Sequence, residues 1–240
     1  MANKSLRGKI ALVTGASQGL GFAIANALAA EGCALVLCSR NQNSLDRAAK
    51  KLAKHKVRIL AFACDVGDPA AVRVLLAEAK RRFRRLNILI NNAGISHANF
   101  SVPELPVEKW NEVIHSNLSG LFYVTRAALP LMRRGGVIVN ILSIAAIKIF
   151  PQFAAYNASK AGALALTTAL REELRPKDIR VIAVMPGATD TAIWEQFWPD
   201  APRKKMIRPS TVGQAVVNAV ALPEDGVVEE LIIRPSVGVL

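Results

Sequence analysis

The sequence predicts an α/β fold with a doubly wound, parallel sheet of seven strands and helices on both of its faces. The prediction rests on two observations. Seven short apolar runs alternate with six longer segments in which apolar residues recur at helical spacing. Strands that alternate with helices in this way form parallel sheets that are covered on both sides. The 240 residues show no internal boundary, so we expect residues 1–240 to fold as one domain.

The predicted strands are short and rich in β-branched residues, which is typical of buried strands. They are Ile10–Val13, Ala34–Cys38, Val57–Ala63, Ile88–Ile90, Val137–Leu142, Val181–Met185 and Glu230–Ile233. Asp68 is a suitable N-cap for a helix that begins at Pro69, and Pro176 ends the fifth helix after Arg175. The predicted helices are Leu20–Glu31, Ser44–Lys54, Pro69–Phe83, Glu108–Met132, Ala154–Leu174 and Thr211–Leu222.

The composition is that of a globular protein, with 52% hydrophobic and 20% charged residues. Met1–Lys9 is polar and basic, which argues against a signal peptide, and no apolar run is long enough to span a membrane. Cys33, Cys38 and Cys64 lack the spacing of metal ligands, so we expect no metal site. Cys38 and Cys64 lie in apolar, strand-like runs, and we interpret these two as small buried hydrophobes. Reduced thiols favour a cytoplasmic location.

The formal net charge is +13, and part of it comes from the basic run Lys80–Arg85. Such a run is found in nucleic-acid-binding surfaces, but it is also typical of a solvated helix end, where cations favour the negative end of the helix dipole. No platform rich in aromatic residues accompanies it. We therefore favour the helix end and expect neither a nucleic-acid nor a membrane partner.

A glycine-rich loop, Thr14-Gly-Ala-Ser-Gln-Gly-Leu-Gly21, joins the first strand to the first helix. Gly15 permits a tight turn, and Gly19 and Gly21 let the backbone approach a pyrophosphate at the positive end of the helix. A simple turn before a helix is the alternative, but the strand–loop–helix context favours a dinucleotide-binding Rossmann fold. The loop residues expected to contact the cofactor are Gly15, Ser17, Gln18, Gly19, Leu20 and Gly21.

The end of the second strand indicates which dinucleotide binds. NAD enzymes usually carry an acidic residue at this position, whereas this chain has Ser39 and Arg40. An arginine can pair with the 2′-phosphate of NADP, so NADP(H) is favoured over NAD(H). A solvated loop cation is the alternative for Arg40, and Gln18 stands where a second basic residue would have strengthened the prediction.

The catalytic candidates follow the fifth strand. Tyr156 and Lys160 are four residues apart, so they share one face of a helix, and Ser143 lies thirteen residues before Tyr156. Asn117 falls within the preceding predicted helix. In this order and spacing, these residues resemble the short-chain dehydrogenase/reductase family, in its short single-domain branch. The resemblance covers nearly the whole chain and is also carried by residues 14–21, Asp65, Asn91–Gly94 and Pro186-Gly187.

The resemblance implies a role for each of these residues. Tyr156 is implied to exchange a proton with the carbonyl or alcohol oxygen, and Ser143 to hold that oxygen. A phenol with a pKa of about 10 is a poor base at neutral pH. We therefore expect the positive charges of Lys160 and of the oxidised nicotinamide to lower the pKa of Tyr156. Lys160 is also implied to bind the nicotinamide ribose, and Asn117 to position a water that links Lys160 to solvent.

The resemblance also implies further cofactor contacts at the ends of the later strands. Asp65 and Val66 are implied to border the adenine, and Asn92, Ala93 and Gly94 to line the ribose side. The residues implied to lie nearer the nicotinamide and the pyrophosphate are Pro186, Gly187, Thr189 and Thr191.

The substrate pocket is expected to be mainly apolar. Residues 187–210 form a long irregular segment with three large aromatic residues, which indicates a lid over the pocket. We expect His97, which follows the Asn-Asn-Ala-Gly-Ile turn, to be a surface residue, although it could instead reach the pocket. The pocket candidates, each of which could alternatively be core or an oligomer contact, are Ser96, Ile144, Phe150, Phe153, Ala188, Trp194, Phe197 and Trp198.

The resemblance therefore implies an NADP(H)-dependent oxidoreductase that transfers a hydride between the nicotinamide and a carbonyl or secondary alcohol, similar to NADPH-dependent carbonyl reductases. The substrate is expected to be a small or medium apolar molecule. Relatives are usually homodimers or homotetramers, so the same is expected here. Two alternatives stay open at this point: a dinucleotide-sensing module without chemistry, and nucleic-acid binding through the basic surface.

Overall fold

Seven parallel strands form the centre of the molecule. The computed structural model describes residues 6–196 and 198–238. The strands are β1 (Ile10–Thr14), β2 (Ala34–Ser39), β3 (Ile59–Ala63), β4 (Leu86–Asn91), β5 (Met132–Ile141), β6 (Arg180–Pro186) and β7 (Glu230–Ile233). Their order in the sheet is β3-β2-β1-β4-β5-β6-β7, and every pair is parallel. The chain thus winds outward from β1 in both directions, which confirms the predicted doubly wound sheet.

Helices cover both faces of this sheet. They are α1 (Gly19–Ala30), α2 (Gln42–Leu52), α3 (Pro69–Phe83), α4 (Val107–Ile114), α5 (Gly120–Ala128), α6 (Ala154–Leu174) and α7 (Pro209–Val220). Buried side chains of α1, α2 and α7 pack on one face, and those of α3, α5 and α6 pack on the other. The predicted cap of α3 is present, because Asp68 accepts a hydrogen bond of 2.7 Å from the backbone N–H of Ala70.

The central strand β1 connects the two cores. All of its residues are buried, and successive side chains of a strand point to opposite faces. Ala11 and Val13 therefore join the core beneath α1 and α7, whereas Ile10 and Leu12 join the core beneath α3 and α6. Since both faces are packed, the loops at the carboxyl ends of the strands are the accessible part of the sheet, and ligands of this fold bind there.

One predicted helix is divided in the structure. The sequence predicts a continuous helix over Glu108–Met132, but α4 and α5 are separated by a π-helical turn at His115–Ser119 and followed by a 3-10 turn at Leu129–Leu131. A π turn adds a single residue to one turn of an otherwise helical segment, and the residues on both sides keep helical spacing, so the periodicity did not reveal the division. Pro130 lacks the N–H that the α-helix would need, which explains why the helix ends before Met132.

Strand β5 begins earlier than the sequence predicted. The prediction placed its start at Val137, whereas the strand starts at Met132. Met132 pairs with Leu86 of β4, and the register shifts before Val137 pairs with Ile88. Gly135 has a φ of +77° in this stretch, a conformation that favours glycine. Two arginines and two glycines in the irregular part masked the strand pattern.

The basic run lies at the end of a helix, as the sequence analysis favoured. Helix α3 ends at Phe83, and Lys80, Arg81 and Arg82 are exposed in its last turn. Arg81 pairs with Glu78 one turn earlier, at 2.6 Å. These cations therefore lie at the negative end of the helix dipole.

Cys33, Cys38 and Cys64 are free and buried, which confirms the interpretation of Cys38 and Cys64 as small buried hydrophobes. Within residues 6–196 and 198–238, no set of three or more His, Cys, Asp or Glu side chains is arranged to hold a metal ion. None of the helices in that part of the chain is both long and apolar enough to cross a membrane.

Candidate active site

A cavity of about 1000 Å³ runs along the carboxyl edge of the sheet. All of the residues predicted to contact the cofactor line this cavity, as do Ser143 and all of the predicted substrate residues that the structure describes. Phe197 lies outside the described residues. Asn117 lines a small adjoining pocket instead. The structure thus brings together side chains from six strand ends that are far apart in the sequence.

The glycine loop between β1 and α1 is tightly packed. Gly15 has a φ of +65°, and a Cβ built on Gly21 would lie 2.3 Å from the carbonyl oxygen of Gly15. The Asn92 amide donates hydrogen bonds to the carbonyl oxygens of Thr14, at 2.9 Å, and Gly15, at 3.3 Å. No side chain caps the start of α1, where Gln18 is the N-cap residue. The backbone N–H groups of the first turn therefore remain available to bind an anion.

At the end of β2, the Arg40 side chain is exposed beside the cavity. No hydrogen bond or ion pair holds its guanidinium among the described residues. Asp65, which follows β3, accepts a hydrogen bond of 2.9 Å from the Gly67 backbone N–H through one carboxylate oxygen. This end of the cavity therefore presents a free cation next to an anchored carboxylate.

Tyr156 lies in the first turn of α6, half-buried at the wall of the cavity. Burial raises the pKa of its hydroxyl group, and a hydrogen bond with Ser143 at the end of β5 partly offsets this effect. Desolvation is thus the largest influence on the pKa of Tyr156. The phenol is therefore held in its protonated form, next to a hydroxyl partner. The lowering expected from Lys160 together with the oxidised nicotinamide stays a prediction.

Lys160 lies one turn after Tyr156 and is buried, with 6% of its surface exposed. Its ammonium group donates a hydrogen bond of 3.1 Å to the Ile141 carbonyl oxygen and lies 5.6 Å from the centre of the Tyr156 ring. Burial lowers the pKa of Lys160 to about 8. The site thus contains an amine that titrates close to the physiological range.

Asn117 lies in the π-helical turn, and its side chain connects three elements. Its amide accepts a hydrogen bond from the Ile95 N–H at 2.8 Å and donates to the Ile95 carbonyl oxygen at 2.9 Å. It also donates to the Ser159 hydroxyl at 3.0 Å, and Ser159 in turn donates to the Tyr156 carbonyl oxygen at 2.8 Å. Because these bonds join the Asn117 side chain to Ile95 and Ser159, it braces the start of α6. The water expected beside Asn117 stays a prediction.

The loop between Ser143 and α6 forms one wall of the cavity. The Asn157 amide donates a hydrogen bond of 2.7 Å to the Phe150 carbonyl oxygen and accepts a bond of 3.4 Å from the Phe150 N–H. A short β-bridge joins Phe153 to Phe100. These bonds fix the two phenylalanine residues that the sequence analysis assigned to the substrate pocket.

The expectation that His97 is a surface residue is wrong. Its side chain is buried, with 3% of its surface exposed, and its ring stacks on Phe100 and Phe153 with centroid distances of 6.1 and 5.6 Å. His97 does not line the cavity among the described residues, so it supports the pocket wall from behind. The contact joins segments about fifty residues apart, and local sequence could not reveal it.

The predicted lid segment, residues 187–210, folds back on itself. Thr189 forms a β-bridge with Ile207, and the Trp194 indole N–H donates a hydrogen bond of 2.8 Å to the Thr189 carbonyl oxygen. The Trp194 and Trp198 rings meet edge to face at 6.0 Å. The Thr191 side chain lies 3.5 Å from the position that a Cβ of Gly19 would occupy. The segment therefore spans the cavity from the pocket wall to the glycine loop.

Sequence reasoning missed several residues that hold the site together. The Thr14 hydroxyl accepts hydrogen bonds from the backbone N–H groups of Asn92, at 2.9 Å, and Ala93, at 3.0 Å, and so ties the glycine loop to the end of β4. Asn157 and Ser159 lie inside the Tyr–Lys motif, and that position was the available signal for them. Arg234 lines the cavity just after β7, and its place at a strand end was the signal for it.

Comparisons with known proteins agree with this architecture. The sequence profile of the family described as short chain dehydrogenase matches residues 9–202. An uncharacterized oxidoreductase of Staphylococcus aureus (strain MRSA252) is 35% identical over 232 residues, which cover 96% of this chain and 98% of the relative.

Solved structures extend the similarity to three dimensions. An alcohol dehydrogenase from the archaeon Thermococcus sibiricus, complexed with 5-hydroxy-NADP, is 31% identical with a TM-score of 0.89, covering 95% of this chain and 97% of its own. A 3-ketoacyl-(acyl-carrier-protein) reductase from Brucella melitensis, complexed with NADH, is 27% identical with a TM-score of 0.87, covering 96% and 98%.

Proposed function

The chain belongs to the short-chain dehydrogenase/reductase family, and on that premise we propose that it is an NADP(H)-dependent carbonyl reductase or alcohol dehydrogenase. It is an oxidoreductase of this family, whose members act on small molecules and typically form oligomers. The proposal adds the cofactor, the bond that reacts and the acid/base residue. Hydride transfer between the nicotinamide and a carbonyl or secondary alcohol is the proposed reaction, with Tyr156 as the residue that handles the proton.

The observation that carries the proposal is the convergence of Tyr156, Ser143 and Lys160 on the wall of a cavity whose other end is the glycine loop. A hydride acceptor needs a proton donor beside the carbonyl oxygen, and a phenol hydrogen-bonded to a serine hydroxyl can supply it. A module that only senses a dinucleotide has no need of that arrangement. The intact set therefore argues against the non-catalytic alternative.

The residues present fit a nicotinamide dinucleotide. The backbone cradle at Gly15 and Gly21 leaves no room for a side chain, and the uncapped start of α1 offers N–H groups to a pyrophosphate. Arg40 is free to pair with a 2′-phosphate, and the Thermococcus relative was solved with an NADP derivative. The cofactor, when bound, supplies the hydride or accepts it. Because the Brucella relative was solved with NADH, Arg40 is the feature on which the preference for NADP(H) rests.

In the proposed mechanism, the Ser143 hydroxyl holds the substrate oxygen and the Tyr156 hydroxyl donates its proton to that oxygen during reduction. Tyr156 carries a proton to donate at neutral pH, because the ordinary pKa of a phenol is about 10 and burial raises the pKa of Tyr156 further. Lys160 lies close enough to place positive charge beside the phenolate that forms. Asn117 and Ser159 keep the first turn of α6 fixed, so that the two side chains retain their relative positions.

The substrate side of the cavity is rich in aromatic and apolar residues, which supports a small to medium carbonyl compound with an apolar body. Phe150 and Phe153 form the wall that Asn157 holds in place. Trp194 and Trp198 belong to the lid segment. We propose that this segment excludes water from the reacting carbonyl once substrate is bound.

We also propose that the protein is a homodimer or homotetramer. The α4–α5 region presents apolar side chains to solvent, with Val107 66%, Trp110 38% and Phe122 43% exposed. A cluster of this kind is a candidate contact between copies. Three buried, free thiols are consistent with the reducing conditions of a cytoplasm.

The test of the proposed function is NADPH oxidation with a panel of ketones and aldehydes. Wild type is expected to turn over part of the panel, and the Tyr156→Phe variant to be about 1000-fold slower because it lacks the proton donor. Tyr123→Phe removes the same hydroxyl group from α5 and serves as the control. Equal rates for wild type and Tyr156→Phe would refute the acid/base role, and tight NADPH binding without turnover would favour the sensing module.

A further inference from the structure

Arg234 is a charged residue that lines the cavity but has no role in the reaction proposed above. It follows β7 and lines the cavity, and its side chain is exposed. No hydrogen bond or ion pair to it is seen in the part of the chain that the structure describes. A free cation on a cavity wall is a place where an anionic group can bind.

The backbone at Arg234 is firmly held although the side chain is free. The Gly187 N–H donates a hydrogen bond of 2.7 Å to the Ile233 carbonyl oxygen. The Arg234 Cα lies 3.6 Å, and the Pro235 ring 3.2 Å, from the position that a Cβ of Gly187 would occupy. Pro235 is buried. The guanidinium group is therefore carried by a fixed base at the end of β6, next to the predicted nicotinamide side of the site.

The strand order places Arg234 at the opposite end of the cavity from Arg40. Arg40 follows β2 and Arg234 follows β7, so five strand spacings, or about 24 Å, separate their positions. Ser143 follows β5, two spacings or about 10 Å from β7. A single 2′-phosphate cannot serve both arginines. Arg234 consequently lies beyond Ser143, past the ends of β5 and β6 and away from the 2′-phosphate end of the cavity.

The other charged residues that line the cavity have different positions or partners. Asp65 is bonded to Gly67, and Lys160 is bonded to Ile141. Glu195 lies on the lid segment and forms no ion pair with Arg234. At the β5 to β7 end of the cavity, Arg234 is thus the cation available to bind a ligand. The protein's net charge of +13 also attracts anions.

We propose that Arg234 binds a carboxylate of the substrate, so that the enzyme acts on keto acids or the corresponding hydroxy acids. A planar guanidinium matches a carboxylate with two parallel hydrogen bonds. An arginine side chain spans much of the interval between β7 and β5. A substrate carboxylate bound by Arg234 is therefore separated by only a few carbon atoms from the substrate carbonyl group held by Ser143. This inference rests on the proposed function and names the substrate class of the same site.

The test compares levulinate with its methyl ester, two ketones that differ in the carboxylate charge. Wild type is expected to show a higher kcat/KM for the acid than for the ester. Arg234→Gln is expected to lower the ratio of acid to ester by about tenfold, the usual cost of losing a charged hydrogen-bond partner. Arg208→Gln, an exposed arginine at the start of α7 that does not line the cavity, removes the same charge and is expected to leave the ratio unchanged.

Two results would overturn the inference. One is an unchanged ratio of acid to ester in Arg234→Gln, whether or not both activities fall. The other is a matching fall of this ratio in Glu195→Gln, which would mean that the two residues latch the lid segment instead of binding substrate. In each of these cases the proposed function survives if turnover of the ester still depends on Tyr156. Failure of every carbonyl compound in wild type would instead refute the proposed function.

Discussion

The cavity has two halves that are built in different ways. In the cofactor half, at the ends of β1 to β4, backbone groups and glycines form much of the surface, and Thr14, Gly15, Gly21 and Asn92 are in short contact where β1 and β4 end. In the substrate half, at the ends of β5 to β7, the surface is made mainly of side chains. These side chains are supported by other side chains behind them, as in the stacking of Phe153 on His97.

The difference shows which half carries which part of the function. Backbone geometry at a strand–loop–helix junction recognises a pyrophosphate whatever the substrate is, so the cofactor half accounts for family membership. Side chains on loops decide which carbonyl compound fits. Changes in the first half are therefore expected to affect all activity, and changes in the second to affect substrates selectively.

The largest effect is expected from Gly21→Ala in the cofactor half. Its new Cβ would lie 2.3 Å from the Gly15 carbonyl oxygen and 2.4 Å from the Asn92 amide nitrogen. Moving either group opens the cradle, so NADPH binding should weaken by about 100-fold or more, measured by fluorescence titration. Gly226→Ala is the control, because its added Cβ meets nothing within 4 Å. Unaltered binding in a folded Gly21→Ala variant would refute the backbone cradle.

Arg40→Asp is expected to have the next largest effect. Loss of the proposed partner of the 2′-phosphate, and its replacement by a like charge, should lower the ratio of kcat/KM for NADPH over NADH by about 30-fold. Steady-state kinetics with both cofactors measure this ratio. Arg47→Asp makes the same charge change on the exposed side of α2, away from the cavity, and should leave the ratio unchanged. A preserved preference in Arg40→Asp would exclude the contact.

In the substrate half, Asn157→Ala should have a smaller and selective effect. It removes the hydrogen bond of 2.7 Å that holds the Phe150 carbonyl oxygen, so the pocket wall should loosen. KM for the carbonyl substrate is expected to rise about fivefold while the Kd of NADPH stays constant. Asn218→Ala on the exposed side of α7 is the control. A fall in kcat with unchanged KM would indicate that Asn157 acts on its neighbour Tyr156 instead.

The smallest effect concerns Lys160, which lies between the two halves. Its pKa of about 8 in the folded protein is below the ordinary value of 10.5, so above pH 8 the unfolded chain binds more protons than the folded one, and stability rises with pH. Between about pH 7 and 8.5, the free energy of unfolding of wild type should rise by about 1 kcal/mol relative to Lys160→Met. Urea denaturation at both pH values measures the change. A constant or falling difference would contradict a lowered pKa.

Much of the fold was predictable because its signals are local. Apolar runs and helical periodicity gave the seven strands and the doubly wound sheet, and Asp68 and Pro69 marked the start of α3. The division of the helix near Asn117 and the early start of β5 at Met132 escaped prediction. A π turn adds only one residue between two stretches of helical spacing, and a register shift interrupts the strand pattern.

The candidate site divides in the same way. Short motifs located the glycine loop, Tyr156 and Lys160, because each motif combines residues that are close along the chain. The burial of His97 depends on its contact with Phe153, and the position of Arg234 depends on the pairing of β7 with β6, so both involve segments distant in the sequence. The clamp from Asn157 to Phe150 spans seven residues but depends on how the chain turns between them. The spacing of residues in the sequence does not predict those contacts.

The most direct test of the central claim follows the transferred hydrogen. NADPH carrying deuterium at both C4 positions of the nicotinamide is incubated with wild type and a ketone from the panel that is turned over, and the product alcohol is analysed by mass spectrometry. The account predicts one deuterium on the carbinol carbon, with the rate falling by about 1000-fold in Tyr156→Phe. Oxidation of NADPH that leaves the alcohol unlabelled, or a labelled product formed equally fast without the Tyr156 hydroxyl, would contradict it.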